Sequence, residues 1–151
     1  MHVSRFTKRF ALGLLAAGMG LSALAVPALA LDAPGERIYA PMHFAGRNEV
    51  KGPFVAQGTF QDRGDATGRA DNFQQGGGIV GTARFKGADH TLVVVWHVVC
   101  RNHPTNPFKR ECSGSWRDDD PNYDGSGSFD LELNFVDGSV TATLEGTLHR
   151  A

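Results

Sequence analysis

The sequence predicts an all-β domain, an eight-stranded antiparallel β-barrel, and three observations lead to this fold class. Glycine is abundant, with 19 residues in the chain, and glycine disfavours helices. No window after residue 30 keeps apolar residues at the i, i+3, i+4, i+7 spacing of a helix. Eight short runs instead alternate apolar and polar residues between turn residues, which is typical of strands.

The eight predicted strands follow one another without a domain linker. They cover Arg37–Phe44, Phe54–Asp62, Ala66–Phe73, Ile79–Lys86, Thr91–Arg101, Glu111–Arg117, Ser126–Phe135 and Ser139–His149. The turns that separate them are Gly46-Arg47-Asn48, Arg63-Gly64-Asp65, Gly76-Gly77-Gly78, Gly87-Ala88-Asp89 and Asp137-Gly138. Eight strands from residues 31–151 suit a barrel whose interior is filled by side chains or holds one small ligand.

The N-terminus has the three parts of a secretory signal peptide. A basic start at residues 5–9 precedes an apolar run over residues 10–26, and Ala28 and Ala30 supply the small side chains of a cleavage site. This pattern predicts removal of residues 1–30 after Ala30 and a secreted or periplasmic protein. The mature chain, residues 31–151, is then one domain with no membrane span, and residues 31–36 are predicted to be a short mobile arm.

Charge argues against nucleic acid as a partner. The signal peptide holds 3 of the 15 basic residues and none of the 16 acidic ones, which leaves a mature net charge of −4 with neutral histidines. A mildly acidic domain lacks the electrostatic attraction that phosphate backbones require.

The last two strands carry the clearest hairpin pattern. Asp137-Gly138 suits a two-residue type I′ turn, in which both central residues need positive φ. That turn predicts Phe135 opposite Val140 on an apolar face. On the other face it places Asp130 opposite Glu145, a like-charge pair that a neighbouring cation would have to relieve.

The two cysteines predict a second register. In an exported protein an even cysteine count predicts a disulfide between Cys100 and Cys112. If the two cysteines lie directly opposite each other, Trp96 faces Trp116 four residues further along the two strands.

One strand has valines on both faces. Val93, Val95 and Val99 lie on the face opposite Trp96, where a solvated strand would be polar. These valines need cover, either from the N-terminal segment or from a second copy of the chain in a homo-oligomer.

A series of glycine, threonine and phenylalanine spacings resembles a known family over residues 54–148. The motifs are Gln57-Gly58-Thr59-Phe60, Gly81-Thr82-Ala83-Arg84-Phe85-Lys86-Gly87-Ala88, Gly114-Ser115-Trp116, Gly125-Ser126-Gly127-Ser128-Phe129, Asp137-Gly138-Ser139-Val140 and Glu145-Gly146-Thr147-Leu148. They resemble small secreted bacterial β-barrel proteins related to the allene oxide cyclase and dirigent-type barrels. The resemblance implies an eight-stranded barrel with a central cavity, sometimes trimeric. In the plant relatives this cavity binds a hydrophobic or phenolic intermediate. No catalytic residue of those enzymes matches this chain, and a lipocalin-like barrel is the alternative fold.

An acidic turn offers the one candidate metal site. Asp120, Asn122 and Asp124 before Gly125 match the first half of a calcium loop, in which alternate residues supply hard oxygen ligands. The second half does not match, because the twelfth position is Leu131. The simpler interpretation is therefore an acidic turn between two strands, with no other cofactor expected.

The loop over residues 101–110 is the candidate partner site. It is basic and is anchored by the predicted disulfide, and Arg101, Phe108 and Arg110 combine cations with an aromatic ring, as protein-recognition surfaces do. No serine, histidine or cysteine spacing typical of an active site is present, so no catalytic residue is assigned.

The sequence therefore predicts an exported, non-catalytic barrel that binds a small apolar ligand or a protein partner. One alternative is a cavity enzyme of the cyclase or isomerase type. The other is an envelope-associated structural or interaction protein.

Overall fold

The computed structural model describes Gly35 to Ala151, which form a closed antiparallel barrel of eight strands. The predicted signal peptide and most of the predicted arm lie outside the described residues. The strands are β1 (Glu36–Phe44), β2 (Glu49–Gln57), β3 (Arg63–Phe73), β4 (Gly78–Gly87), β5 (Thr91–Asn102), β6 (Lys109–Asp118), β7 (Tyr123–Asn134) and β8 (Ser139–Arg150). A short 3-10 turn, Gln75–Gly77, precedes β4.

Each strand pairs with the next one along the chain, and β8 pairs with β1 to close the barrel. The connections therefore alternate between two ends. We call the end that carries the β1–β2, β3–β4, β5–β6 and β7–β8 loops the open end, and the other the closed end. No helix in Gly35–Ala151 has the length and apolarity needed to cross a membrane.

Alternation of side chains along the strands produces the core. In β5, for example, Leu92, Val94 and Val98 are fully buried, whereas His97 between them is exposed. Successive strand residues point to opposite faces, so every second residue of each strand enters the barrel. The eight-strand antiparallel prediction is confirmed.

The register predicted from the cysteines is also confirmed. Cys100 and Cys112 lie opposite each other on β5 and β6 and form a disulfide. Trp96 lies opposite Trp116 in the same ladder.

The predicted β7–β8 register is wrong by two residues. Leu133, not Phe135, lies opposite Val140. The Asn134 carboxamide oxygen accepts the N–H of Val136 at 3.0 Å, and the Asp137 carboxylate accepts the N–H of Ser139 at 2.8 Å. These side chains lengthen the loop to four residues. A shift of two keeps each residue on its predicted face.

The same shift removes the expected like-charge pair. Asp130 lies opposite Thr143, and Glu145 lies opposite Ser128. The Glu145 carboxylate instead forms an ion pair with Arg37 on β1 at 2.8 Å.

The predicted second strand, Phe54–Asp62, begins and ends five residues too late. β2 runs over Glu49–Gln57, and Gly52-Pro53 lies inside it. Proline cannot donate a ladder hydrogen bond. The β1–β2 pairing is accordingly interrupted around Pro53, while β3 stays paired with β2 from Glu49 to Val55.

The β2–β3 loop closes one end of the barrel. Gly58 turns the chain with φ of +115°, and Phe60 then inserts into the core with 1 % of its surface exposed. Its ring stacks on Phe54 at 5.8 Å between centroids and meets the ring of Tyr123 edge-on at 6.0 Å. The interior of the closed end is therefore filled with aromatic rings.

Candidate functional site

The interior of the open end is not filled. A cavity of about 290 Å³ lies there and reaches the loops of the open end. Its inner walls are aliphatic and come from six of the eight strands. The side chains of these walls are Met42, Val50, Ala70, Ile79, Ala83, Leu131, Leu133, Val140 and Ala142.

Three aromatic rings form the floor of the cavity. Trp96 stacks on Phe129, with 5.3 Å between ring centroids and 3° between ring planes, and Phe85 lines the cavity beside them. The Trp96 ring needs Gly81 as its neighbour, because a Cβ at Gly81 would clash with the indole. The floor separates the cavity from the packed closed end.

Small residues on one side of the barrel leave the space empty. Gly68 and Ala70 on β3 and Ala83 on β4 are the inward residues at this level, and Ala142 on β8 also lines the cavity. A void lined by apolar groups of this size favours an apolar occupant over water.

An aromatic lip surrounds the opening. We use the name lip for Phe44, Phe73 and Phe135, which line the cavity and are 38 %, 61 % and 52 % exposed, respectively. Phe44 and Phe135 stack at 6.1 Å between centroids. Backbone bonds fix this side of the lip, because the Phe44 N–H donates to Gly138 and the Phe135 N–H donates to Phe108, each at 2.9 Å.

The charged residues that line the cavity are all arginines, namely Arg47, Arg69 and Arg110, and they lie towards the opening. Arg69 forms an ion pair with Asp71 at 2.7 Å. The guanidinium carbon of Arg110 lies 5.6 Å from the centroid of the Phe135 ring, a cation–π contact. Within Gly35–Ala151 no carboxylate, imidazole or free thiol lines this cavity.

The structure separates the three residues of the predicted partner loop. Arg110 enters the cavity lining, Phe108 is 57 % exposed beside the lip, and Arg101 lies 3.6 Å from Glu111. His103 orders the loop, because its Nδ1 accepts the N–H of Thr105 at 3.2 Å and that of Asn106 at 3.1 Å. Arg110 thus has a position that sequence alone did not assign to it.

The residues of the predicted calcium set lie at the closed end, far from the cavity along the strands. The Asp120 carboxylate accepts the N–H of Asn122 at 2.9 Å, and Asp124 follows in β7. Among the described residues, no three His, Cys, Asp or Glu side chains form a group that could hold a metal ion. Calcium binding at Asp120, Asn122 and Asp124 stays a prediction.

The valine face lies on the outside of the barrel. Val93 and Val95 are half-buried and Val99 is 52 % exposed. Arg84 lies opposite Val93, and Arg117 lies opposite Val95, on the neighbouring strands. Cover by the N-terminal segment falls on residues outside Gly35–Ala151, and assembly through this face also stays a prediction.

Two carboxylates organise the closed end. Asp62 is the acceptor for four backbone N–H groups, those of Arg63, Ala88, Asp89 and His90, at 2.8 to 3.1 Å. These bonds outweigh the opposing effect of desolvation and lower the pKa of Asp62 to about 2. Asp62 thereby ties the β2–β3 loop to the β4–β5 turn.

Glu36 is the second carboxylate of the closed end, and its pKa is shifted in the direction opposite to that of Asp62. The sequence predicts Glu36 at the end of a mobile arm, but Glu36 begins β1 and is 4 % exposed. Its Oε2 accepts the N–H of Phe60 at 3.2 Å, whereas its Oε1 has no hydrogen-bond partner. Burial raises the pKa of Glu36 to about 7, against the lowering effect of the Phe60 and Thr59 N–H groups.

The fold and the site together define a class: a closed eight-stranded up-and-down barrel with an apolar cavity open at one end. No protein-family model, curated protein or solved structure matches the chain at a significant level.

Proposed function

We propose that the protein is an exported, non-catalytic barrel that binds one small apolar ligand in the cavity of its open end. The observation that carries the proposal is the cavity itself, which has an aromatic floor, aliphatic walls and an exposed aromatic lip. Apolar pockets with few polar groups are the usual sites of small-molecule binding in proteins. The resemblance to barrels whose cavities hold hydrophobic or phenolic molecules points the same way.

The volume limits the ligand to a small one. At about 290 Å³, the cavity is at the lower limit of roughly 300 Å³ for small-molecule sites. One or a few fused rings, or a chain of medium length, suit this space. Binding of such a ligand would remove apolar surface of the ligand and of the exposed aromatic lip from water. The free energy of binding becomes more favourable in proportion to the apolar area buried.

The chemistry of the lining favours binding over catalysis. A general base or nucleophile needs a titratable side chain within hydrogen-bond distance of the reacting atom. The charged groups in the lining are arginines, whose side chains only donate hydrogen bonds. A cyclase that works by enclosing its substrate is the alternative, and conversion of the bound molecule would distinguish the two.

A fluorescent neutral tracer, 1-aminoanthracene, tests the proposal in a titration of the mature protein. We expect saturable binding with one site per chain. Ala70→Leu fills the cavity from β3 and should weaken binding at least tenfold, and Ala83→Leu is a second filling variant from β4. Ala88→Leu adds the same atoms in the exposed turn of the closed end and should bind like the wild type.

Near-ultraviolet circular dichroism of each variant checks that the barrel is folded. The proposal would be contradicted if the folded wild type did not bind the tracer. It would also be contradicted if both filling variants bound the tracer as tightly as the wild type. Export is tested by a separate experiment, N-terminal sequencing of the exported protein. The first residue of the sequence should be Leu31.

A further inference from the structure

The charges around the cavity are one-sided. All three charged residues of the lining are cationic, although the mature chain has more acidic than basic residues. A neutral ligand would gain nothing from this arrangement. The excess of positive charge at the opening therefore bears on the charge of the ligand's polar end. The apolar walls of the cavity cannot select for that charge.

Two of the three arginines are available for a ligand. The guanidinium of Arg69 is occupied by the Asp71 carboxylate at 2.7 Å. Arg47 and Arg110 form no ion pair with any residue from Gly35 to Ala151. Each carries a full positive charge next to an apolar cavity.

The fold directs Arg110 towards the opening. Arg110 and Cys112 are alternate residues of β6 and point to the same side of the sheet, and Cys112 is buried in the core. Arg110 is thus on the inward side, where β6 begins at the open end. Its contact with Phe135 places the cation on the lip.

Arg47 approaches from the other side of the opening. It lies in the β1–β2 loop, which is fixed to β3 by the bond from the Ala70 N–H to the Asn48 carbonyl at 2.9 Å. β2 and β6 are four strands apart in a closed barrel of eight. A ligand that leaves its polar end at the opening therefore lies between two guanidinium groups.

We propose that the ligand is an amphiphile with an anionic end group, bound with its apolar part on the Trp96–Phe129 floor and its carboxylate at Arg47 and Arg110. The inference rests on the proposed apolar binding function and adds the class of ligand. Guanidinium groups are weakly hydrated and bind carboxylates with two parallel hydrogen bonds. A cationic end group would meet uncompensated positive charge at the same place.

Three probes with the same ten-carbon chain test this, namely decanoate, decanol and decyltrimethylammonium. Each displaces 1-aminoanthracene from the mature protein at pH 7.5. We expect decanoate to bind roughly tenfold more tightly than decanol, the factor typical of one hydrogen bond to a charged group, and the ammonium probe to bind most weakly. The preference for decanoate should fall as salt is added, because exposed charges are screened.

Variants assign the preference to residues. Arg110→Gln should reduce the decanoate-to-decanol affinity ratio to about one third or less, and Arg47→Gln together with Arg110→Gln should bring it near one. Arg117→Gln is the matched control, because Arg117 is also on β6 but lies exposed on the outer face. It removes the same charge and should keep the wild-type ratio.

Failure of this inference is distinguishable from failure of the proposed function. If decanoate and decanol displace the tracer equally well, the cavity binds apolar chains but the anionic class is wrong. If Arg117→Gln lowers the ratio as much as Arg110→Gln does, net charge and not the opening determines the preference, and the inference is also wrong. If neither the tracer nor any probe binds, both proposals fail.

Discussion

Trp96 and Trp116 lie opposite each other on β5 and β6, but only Trp96 lines the cavity. The Trp96 ring stacks on Phe129 and lines the cavity. Trp116 is 2 % exposed, lies outside the cavity lining and donates its indole N–H to the Glu145 carbonyl at 3.2 Å. This pair marks the level at which the packed closed end becomes the cavity of the open end.

Phe60 should be essential for stability although it lies in a loop. Phe60→Ala removes a buried ring and leaves a void between Phe54 and Tyr123, so we expect a loss of about 3–5 kcal/mol in the free energy of unfolding. Urea denaturation measures it. Phe73→Ala, at the exposed lip, removes the same atoms and should change stability by less than about 0.5 kcal/mol. Equal losses would contradict the placement of Phe60 in the packed core of the closed end.

Glu36 should make the barrel less stable as pH rises towards neutrality. Its pKa is raised from 4.5 to about 7 in the folded state, so between these values the folded chain holds a proton that the unfolded chain has lost. The stability gained from this proton is fully present below pH 4.5 and is lost as pH rises through 7. We expect a decrease of about 1–3 kcal/mol over this range.

Denaturation of Glu36→Gln at several pH values tests the assignment. The amide cannot titrate, so the decrease between pH 4.5 and 7 should disappear. Glu49→Gln, an exposed residue of β2, is the control and should keep the wild-type slope. A slope that survives in Glu36→Gln would assign it to another group.

Asp62 should make the barrel less stable as pH falls into the acid range, which is the opposite pH dependence to that of Glu36. Its pKa is lowered from 3.8 to about 2, so its contribution is present above pH 4 and is lost as pH falls through 2. Asp62→Asn replaces one acceptor oxygen with an N–H₂ group that faces two backbone donors. We expect a loss of about 2 kcal/mol near neutral pH from these bonds, compared with almost none for the exposed Asp65→Asn in thermal denaturation.

The disulfide should stabilise the open end. It closes a short loop with 11 residues between Cys100 and Cys112, for which the chain-entropy model gives at most about 3 kcal/mol. The double variant Cys100→Ser with Cys112→Ser should therefore fold with a lower free energy of unfolding. Unchanged stability would show that the unfolded chain is not restrained by this bridge.

The strands and the β5–β6 register could be predicted from the sequence, because neighbouring residues and one disulfide determine them. Alternation and turn residues located most strands, and one covalent link placed Trp96 opposite Trp116. The β7–β8 register differs from the predicted one because the side chains of Asn134 and Asp137, and not the Asp137-Gly138 dipeptide alone, determine the loop. The predicted second strand begins only at Phe54, whereas β2 runs through Pro53 because one of its two ladders is interrupted there.

The site could not be predicted in the same way. The cavity exists because Ala70, Ala83 and Ala142, from three different strands, line the same space in the closed barrel. No spacing along the chain reveals that arrangement. The sequence predicts Arg110 as part of a loop for partner recognition, and only closure of the barrel places it at the opening of the cavity. Glu36 carries no sequence pattern that predicts burial of a carboxyl group.

The two tryptophans provide the most direct test of ligand binding in the cavity. The chain has no others, so its ¹H–¹⁵N spectrum contains two indole cross-peaks, which Trp96→Phe and Trp116→Phe assign. On saturation with 1-aminoanthracene, the account predicts that the Trp96 indole peak shifts strongly and the Trp116 peak remains close to its free position. An unmoved Trp96 peak in a saturated sample would contradict binding on the Trp96–Phe129 floor.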